Sequence, residues 1–534
     1  DANRERRRCL GRGDVIKRQA ARRARRRTTT AVLALATAGS LLLAPATAQG
    51  APTAPPAAPA STTADATPAY GAPDETAADY YGALLRHTRW VETVWDESAG
   101  VYQLKDFNFA VVLGNAVLLT HGEYDAELAG VSEETLRART LATIRHYAAT
   151  NRFVDPAGTW GKKLFWDSTF QSYFLAAGTL LWDELDATTQ ANLTTIATGQ
   201  SKYTADLDFG KDPLSGSWTA DWPTGKHEGD TAQEEVGVYT QALAPGLAWA
   251  PDDPDAARWA EQLGDWGRNA AGQPTADRNN PAVVAGRPVS TNTMQTIHDT
   301  YLVENHGSFG PHYQSDIWRS GGRNAIHFLL RDEPLPEILT HQPNSAELWE
   351  SIKLVMSDAG EPFMPMVADR EFLYGRDAIP MAFLGQVLRD PDAARAEANL
   401  AAALEDYQSY APVHRLAKFS GEPKYEPEAR AEIAISYLLH VEAAESPEGP
   451  VEPTPQDEFF ERLAGVRDFG AGPGLTVQQT ADAWAAASSR KGFVKFPWVP
   501  SHDSWLFHVS GSTPFLYPTT GATVDDRHVR TYTG

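Results

Sequence analysis

The sequence predicts a mainly α-helical protein: an (α/α) toroid, an incomplete barrel of about a dozen helices, followed by a C-terminal antiparallel β domain. Three observations support this prediction. Apolar residues recur at three- and four-residue steps in many segments between residues 74 and 445, which is typical of amphipathic helices. A proline-rich stretch follows these segments. Beyond Gly470, apolar and polar residues alternate between turn residues, as they do in strands.

The chain of 534 residues is too long for one ordinary core, and its composition divides it into five parts. These are a leader and signal peptide (1–48), an Ala/Pro/Thr-rich linker (49–73), a helical catalytic domain (74–445), a Pro-rich linker (446–458) and the start of a β-sandwich (459–534). A sandwich normally needs about seven strands, so we expect the last domain to be truncated. A helical superhelix that only binds a partner is the alternative fold.

The first 48 residues have the pattern of an export signal. A basic stretch, Lys17–Arg27, precedes the apolar run Ala31–Leu43, and Ala46–Ala48 supplies small residues for a signal peptidase. The apolar run is too short to span a bilayer. We therefore expect a secreted protein that is cleaved near Ala48, by an export route that the sequence leaves open.

Apolar spacing places the helical segments one by one. The first is Ala78–Trp95, in which Tyr, Leu and Trp side chains share a face. Comparable segments follow at 107–121, 132–150, 168–185, 188–205, 231–249, 255–271, 320–330, 345–357, 378–389, 392–410 and 428–445. Strand-like segments lie at 492–499, 504–510 and 513–518.

Composition and charge exclude several classes of function. The formal charge of −22 becomes more negative once the basic leader is removed, so nucleic acid and anionic membranes are poor general partners. The 15 tryptophans and 42% hydrophobic residues exclude a disordered chain. The only cysteine, Cys9, lies in the leader, which excludes disulfide scaffolds and cysteine-based sites from the mature chain. Neither a P-loop nor a dinucleotide fingerprint is present.

The densest group of acid–base side chains lies between Asp299 and Gln314. Two glycines in this stretch allow sharp turns that would present its histidines on one side. The candidate catalytic residues are Asn305, His306, His312 and Tyr313. A structural loop is one alternative. A metal site with His298 is another, but its spacing matches no known signature. We predict no cofactor, and a bound divalent metal stays open.

Three further clusters supply candidate substrate-binding residues. Trp166, beside a carboxylate and an amide, is a plausible platform for the apolar face of a sugar ring. Two glutamates open a predicted helix, where they would either favour the helix dipole or act on a substrate. A loop ahead of the helix at 378–389 ends in an aspartate that could cap it. The candidates from these clusters are Trp166, Asp167, Gln171, Glu234, Glu235, Tyr374 and Asp377.

The predicted layout and the triplet Asn305–Gly307 resemble the heparinase II/III-like and chondroitin/hyaluronate-type polysaccharide lyases. In the second group a Gly-Ser-Phe-x-x-His stretch carries the catalytic histidine, and residues 307–312 match it in form. The acid/base tyrosine of that family usually lies further on, where this chain has Ser-Gly-Gly. The tyrosines nearest to the motif are Tyr313, adjacent to the histidine, and Tyr374.

The resemblance implies a secreted lyase that cleaves a uronate-containing glycan by β-elimination. Asn305 and His306 would neutralise the uronate carboxylate, His312 would abstract the adjacent proton, and Tyr313 would act as acid or base. Arg319 and Arg323, one helical turn apart, would bind a second carboxylate.

Two other functions remain open. A toroid glycoside hydrolase would use Glu234 or Glu235 together with Asp377 as its acid and base. A non-catalytic glycan-binding protein would use the aromatic residues alone. The polysaccharide, endo or exo action and the oligomeric state cannot be read from the sequence.

Overall fold

The computed structural model describes residues 68–162, 166–207, 231, 233–305, 307–366, 375–416, 424–490, 493–494 and 496–502. Two predicted site residues, His306 and Tyr374, lie outside these ranges. So do the predicted leader, most of the first linker, and the strand-like segments after residue 502.

The described part of the chain is mainly helical, as the sequence predicts. Its α-helices are α1 Glu75–Val91, α2 Val112–Thr120, α3 Ala126–Ala129, α4 Glu133–Thr150, α5 Trp166–Leu180, α6 Ala187–Ala205, α7 Gln233–Gln241, α8 Ala244–Trp249, α9 Ala256–Ala270, α10 Pro274–Asp277, α11 Pro311–Gln314, α12 Asp316–Leu329, α13 Glu337–Thr340, α14 Ser345–Lys353, α15 Ala378–Ala382, α16 Pro391–Tyr410, α17 Tyr425–Glu445 and α18 Gln456–Leu463. A π-helical turn, Phe383–Val387, continues α15.

The strands are short and pair antiparallel. They are β1 Trp95–Asp96, β2 Val101–Tyr102, β3 Val283–Val284, β4 Arg287–Pro288, β5 Glu304–Asn305, β6 Ser308–Phe309, β7 Gly465–Asp468, β8 Leu475–Gln479, β9 Ala483–Ser488 and β10 Trp498–Pro500. The first six form two-stranded pairs, and the last four form one sheet in the order β10-β9-β8-β7. Small antiparallel sheets therefore accompany the helices, and the largest of them lies near the C-terminus.

Several helices begin where the sequence supplies a capping side chain. A side-chain oxygen of the residue before the first turn accepts a hydrogen bond from a backbone N–H that has no partner inside the helix. The capping residues are Asp74 for α1, Asp125 for α3, Ser132 for α4, Asp186 for α6 and Asp390 for α16.

The helices pack against neighbours along the chain, and the last long helices return to the first. α2 packs against α4 and α5, α6 against α8, and α7 against α9 and α12. α12 also contacts α15 and α17, while α1 contacts both α16 and α17. Buried apolar side chains from these helices form one continuous core.

An ionic contact reinforces the packing of α1 on α16 and α17. In α17, His440 Nδ1 lies 2.7 Å from Asp74 Oδ2, and its Nε2 lies 3.0 Å from Glu397 Oε1 of α16. Burial opposes a charge on this imidazole, but Glu397 and Asp74 outweigh it and raise the pKa of His440 to about 10. His440 is therefore charged at neutral pH, where it holds both carboxylates.

The C-terminal sheet has an apolar core of its own. Alternate residues of its strands, among them Val477, Trp484 and Val499, face this second core. Leu302 and Phe309, on either side of the β5–β6 hairpin, belong to the same cluster. The sheet is therefore packed against the hairpin that carries one of the candidate catalytic residues.

One predicted linker is packed in the structure. Thr454, within the proline-rich stretch at 446–458, donates from its backbone N–H to the carbonyl of Pro391 at 2.9 Å and from its hydroxyl to Asp392 at 2.7 Å. Both partners lie in the first turn of α16, and α18 begins at Gln456. Among the described helices, none is both long and apolar enough to cross a membrane.

Candidate active site

The polar motif at 305–313 forms a tight hairpin that leads directly into a helix. Glu304 pairs with Phe309 and Asn305 with Ser308. The turn between the two strands contains Gly307, whose φ of 88° lies in the left-handed region that favours glycine. α11 and α12 follow at once, so Asn305 and His312 come close to the N-terminal end of α12.

His312 and Asp377 form a buried pair. His312 Nδ1 lies 2.6 Å from Asp377 Oδ2, and the side chains of these residues are only 3% and 0% exposed. A buried carboxylate at Nδ1 fixes the orientation of an imidazole and leaves Nε2 as the nitrogen that can accept a proton. The contact therefore places a carboxylate at one ring nitrogen of His312, a pairing that general-base histidines use.

Asp377 is an ion-pair partner of His312 rather than a helix cap. It stands at the N-cap position of α15, yet its side chain makes no capping hydrogen bond. Burial disfavours the charge on this carboxyl, but the contact with His312 outweighs that effect. Arg319 and Ser315 contribute further, and together these groups lower the pKa of Asp377 to about 2. The carboxyl group is thus ionised throughout the neutral range.

A larger buried cluster of charges supports this pair. Arg376 Nη1 lies 3.1 Å from Glu428 Oε1 and 2.9 Å from Glu432 Oε1. Arg323 contacts the same two glutamates, and Arg319 contacts Asp316 and lies 3.8 Å from Asp377. Three guanidinium groups thus face four carboxylates in the protein interior. The members are Asp316, Arg319, Arg323, Arg376, Asp377, Glu428 and Glu432, and each is buried.

Arg319 and Arg323 face the interior of the protein in this arrangement. They share a helix face, as predicted, but that face points at the carboxylates of the cluster. Arg319 also donates to the backbone carbonyl of His312 at 3.2 Å and to that of Arg376 at 2.8 Å. Burial and neighbouring Arg376 lower the pKa of Arg319 to about 10. The two arginines therefore contact internal carboxylates, whereas their spacing predicted that they bind a carboxylate of the substrate.

Asn305 lies beside the two glutamates that open α7. Its Nδ2 donates to Glu234 Oε2 at 3.1 Å, and Asn305 is buried while Glu234 and Glu235 are half-buried. α11, which carries His312, also contacts α7. The structure therefore brings Asn305, Glu234, Glu235 and His312 into one neighbourhood. Tyr313 is buried in α11, next to His312.

Trp166 is half-buried at the first residue of α5, and a lysine lies over its ring. Lys424 Nζ is 3.9 Å from the centre of the indole. Along α5, the rings of Phe170 and Tyr173 continue from Trp166, with centroids 6.5 Å and 5.8 Å apart in succession. The guanidinium of Arg323 lies 5.4 Å from the Tyr173 ring. This row of rings connects Trp166 to the buried charge cluster.

The other two candidates on α5 have local partners. Asp167 is half-buried and accepts a hydrogen bond from the backbone N–H of Gly161 at 3.3 Å. Gln171 is buried, and its amide accepts from Asn151 at 3.0 Å and donates to Gln200 at 3.1 Å. Gln171 thus joins helices in the interior instead of facing a sugar.

Sequence reasoning missed the partners that complete the site. Glu428 and Glu432 stand one turn apart on α17, and Arg376 precedes the predicted Asp377 directly. The spacing of the two glutamates indicates a shared helix face, but nothing in the sequence pairs that face with α12. Lys424 was missed because a lone lysine ahead of a helix carries no specific signal.

The described residues contain no group of three or more His, Cys, Asp or Glu side chains arranged to hold a metal ion. Within them, His298 pairs with Glu304 at 3.3 Å and His312 with Asp377. Comparisons of the chain with protein-family models, with curated proteins and with solved structures found no match.

Proposed function

We propose that this protein is a secreted polysaccharide lyase that cleaves a uronate-containing glycan by β-elimination. The observation that carries the proposal is the His312–Asp377 pair, with 2.6 Å between its atoms, next to Asn305 and Tyr313. A histidine held at Nδ1 by a buried carboxylate is suited to removing a weakly acidic proton. The resemblance to the heparinase II/III-like and chondroitin/hyaluronate-type lyases, based on residues 305–312, agrees with this chemistry.

Each residue has a role in the proposed reaction. His312 Nε2 takes the proton from the carbon beside the uronate carboxylate. Asn305 donates to that carboxylate as negative charge develops on it, for which Asn305 exchanges its present partner Glu234. A double bond then forms in the uronate ring as the bond to the glycosidic oxygen breaks. Tyr313 supplies the proton that this leaving oxygen needs.

The surroundings of the pair favour an anionic glycan. Trp166 and Lys424 lie in contact at the N-terminal ends of α5 and α17, and Glu234 lies in the first turn of α7 beside Asn305. Helix N-termini carry partial positive charge and favour negative groups. A sugar ring can stack on Trp166 while Lys424 meets a carboxylate.

We infer the (α/α) toroid from the same contacts. Helices that follow one another in the chain pack together, and α16 and α17 return to α1. That closure is what a ring of helices requires. Secretion rests on the basic, apolar and small-residue pattern of the first 48 residues.

A glycoside hydrolase is the second candidate function. The observation that favours it is the pair Glu234 and Glu235, two half-buried carboxylates in the first turn of α7 beside Asn305. A half-buried glutamate can serve as a general acid. Asp377 is less suited to this role, because it is fully buried and bound to His312.

One experiment separates these functions. The purified protein is incubated with a panel of acidic and neutral polysaccharides, and the products are read for ultraviolet absorbance and for reducing ends. Elimination produces an unsaturated uronate that absorbs, hydrolysis produces reducing ends alone, and a glycan-binding protein produces neither.

Two variants then assign the chemistry on any substrate that is cleaved. His312→Ala should lower kcat by about 10²–10⁴-fold, the range expected when a general base is lost. Glu235→Gln, the comparison variant, should have a mild effect on elimination. A nearly normal His312→Ala beside an inactive Glu235→Gln would refute the lyase proposal in favour of hydrolysis.

A further inference from the structure

The β5–β6 hairpin lies between the helical core and the C-terminal sheet. Val303, just before β5, belongs to the helical core. Its neighbours Leu302 and Phe309 belong instead to the apolar core of the sheet, with residues such as Val477 and Trp484. The position of the hairpin therefore depends on the sheet as well as on the helices.

A buried carboxylate in this hairpin is held from the sheet. The side chain of Glu304, directly before Asn305, is 0% exposed, and the guanidinium of Arg490 contacts its Oε1. His298 Nε2 lies 3.3 Å from the same oxygen. Arg490 follows β9 and also donates to the carbonyl of Gly472 at 2.9 Å. One guanidinium thus connects the sheet to the strand that carries Asn305.

The backbone of Glu304 also sets the position of α7. Its carbonyl accepts from Thr231 at 2.9 Å through the backbone N–H and at 3.2 Å through the hydroxyl. Thr231 lies two residues ahead of α7, which carries Glu234, the present partner of Asn305. Glu304 therefore fixes both residues of the Asn305–Glu234 contact.

We propose that Arg490 is a positioning residue of the active site, acting through Glu304 to hold Asn305 in place. The C-terminal sheet is then part of the catalytic unit. Without the guanidinium, Glu304 loses its arginine counter-charge, and the imidazole of His298 is the ionisable group among the described residues that still contacts its carboxylate. An under-compensated buried charge favours a hairpin that opens towards water. The catalytic consequence rests on the proposed lyase function, while the effect on the hairpin does not.

The test compares three variants of the full chain. Arg490→Met removes the charge and keeps the length of the side chain, and Arg490→Lys keeps a charge and is the milder change. Arg462→Met is the matched control, because Arg462 joins α18 to Asp392 of α16 at 2.6 Å and makes no contact with the hairpin. Hydrogen exchange is followed in peptides that cover residues 298–314, and kcat and KM are measured on a uronate polymer that the wild type cleaves.

For Arg490→Met we expect exchange in the hairpin to become about tenfold faster or more, with the helical core unchanged. The kcat should fall about 10- to 100-fold with KM within about twofold, since a small displacement of a catalytic group affects mainly the chemical step. Arg490→Lys should recover part of both losses, and Arg462→Met should change neither.

Unchanged exchange in the hairpin of Arg490→Met would overturn the proposal, as would a kcat equal to that of the Arg462→Met control. If Arg490→Met does not fold, Arg490→Lys decides by the same two measurements. If the wild type cleaves no uronate polymer, the lyase function is refuted. If the hairpin still exchanges faster in Arg490→Met, the positioning role of Arg490 is supported all the same.

Discussion

Asp377→Asn tests the His312–Asp377 pair, because it removes one charge with almost no change in shape. Burial opposes ionisation of this carboxyl, yet His312 and Arg319 lower the pKa of Asp377 from 3.8 to about 2. A difference of this size corresponds to about 2.5 kcal/mol of folding free energy. The amide resembles the protonated carboxyl, so we expect Asp377→Asn to lose about 2.5 kcal/mol of stability at pH 7.

The pH dependence of this loss has a definite sign. A carboxyl whose pKa is lower in the folded protein stabilises it above the unfolded pKa, near 3.8, and this contribution disappears as pH falls through about 2. The stability difference between the wild type and Asp377→Asn should thus stay constant from pH 7 to about pH 4 and shrink below it. Denaturant unfolding at a series of pH values measures it.

Activity gives the second readout of the same variant. An imidazole without its carboxylate loses its fixed orientation, so kcat should fall about 10²–10⁴-fold. Asp252→Asn, in an exposed loop, is the control and should change stability by less than about 0.5 kcal/mol. A stability change in Asp377→Asn that is as small as in this control would refute the ion pair. If Asp377→Asn is destabilised but keeps a normal kcat, the His312–Asp377 pair has a structural role and no catalytic one.

Two further predictions concern other parts of the molecule. His440→Gln leaves the buried carboxylate of Glu397 and the half-buried one of Asp74 without this cation, and it should cost about 3–5 kcal/mol at pH 7 in denaturant unfolding. The pKa of His440 is raised to about 10, so the greater stability of the wild type should be complete below pH 6.5 and should decline as pH rises towards 10. If the difference in stability between the two proteins stayed constant over that range, it would contradict the charge assigned to His440. Trp166→Ala removes the ring under Lys424, so we expect KM for an acidic glycan to rise about tenfold with little change in kcat. An unchanged KM would mean that the glycan binds elsewhere.

The helices could be predicted from sequence because their apolar periodicity is local information. Glu133–Thr150, for example, matches the predicted segment 132–150, and Ser132 caps it. Strand β9 could not be found in this way, since Ala-Trp-Ala-Ala-Ala-Ser has the composition of a helix. It forms a strand because Trp484 and Ala486 complete the core of the sheet, a contact between distant segments.

The candidate site shows the same limit. His312 and Asp377 were each identified from local motifs, but the 2.6 Å contact between them joins segments 65 positions apart in the sequence and has no local signal. Arg319 and Arg323 do share a helix face, as their spacing predicts. The partner of that face depends on how α12 packs against α17, so the spacing could not distinguish a substrate carboxylate from Glu428 and Glu432.

The buried charge cluster would restrict how the proposed lyase binds a uronate. Its arginines contact internal carboxylates, and moving one of them to the substrate would take a counter-charge from a buried glutamate. In the proposed reaction, the uronate carboxylate would instead meet Asn305 or Lys424. Asn305 is uncharged and would stabilise the developing charge less strongly than a guanidinium, so the proposed elimination would depend more on His312 as its base. The same restriction explains why His312 and Glu235, rather than the arginines, are the residues whose substitution separates elimination from hydrolysis: the arginines would keep their internal partners in either reaction.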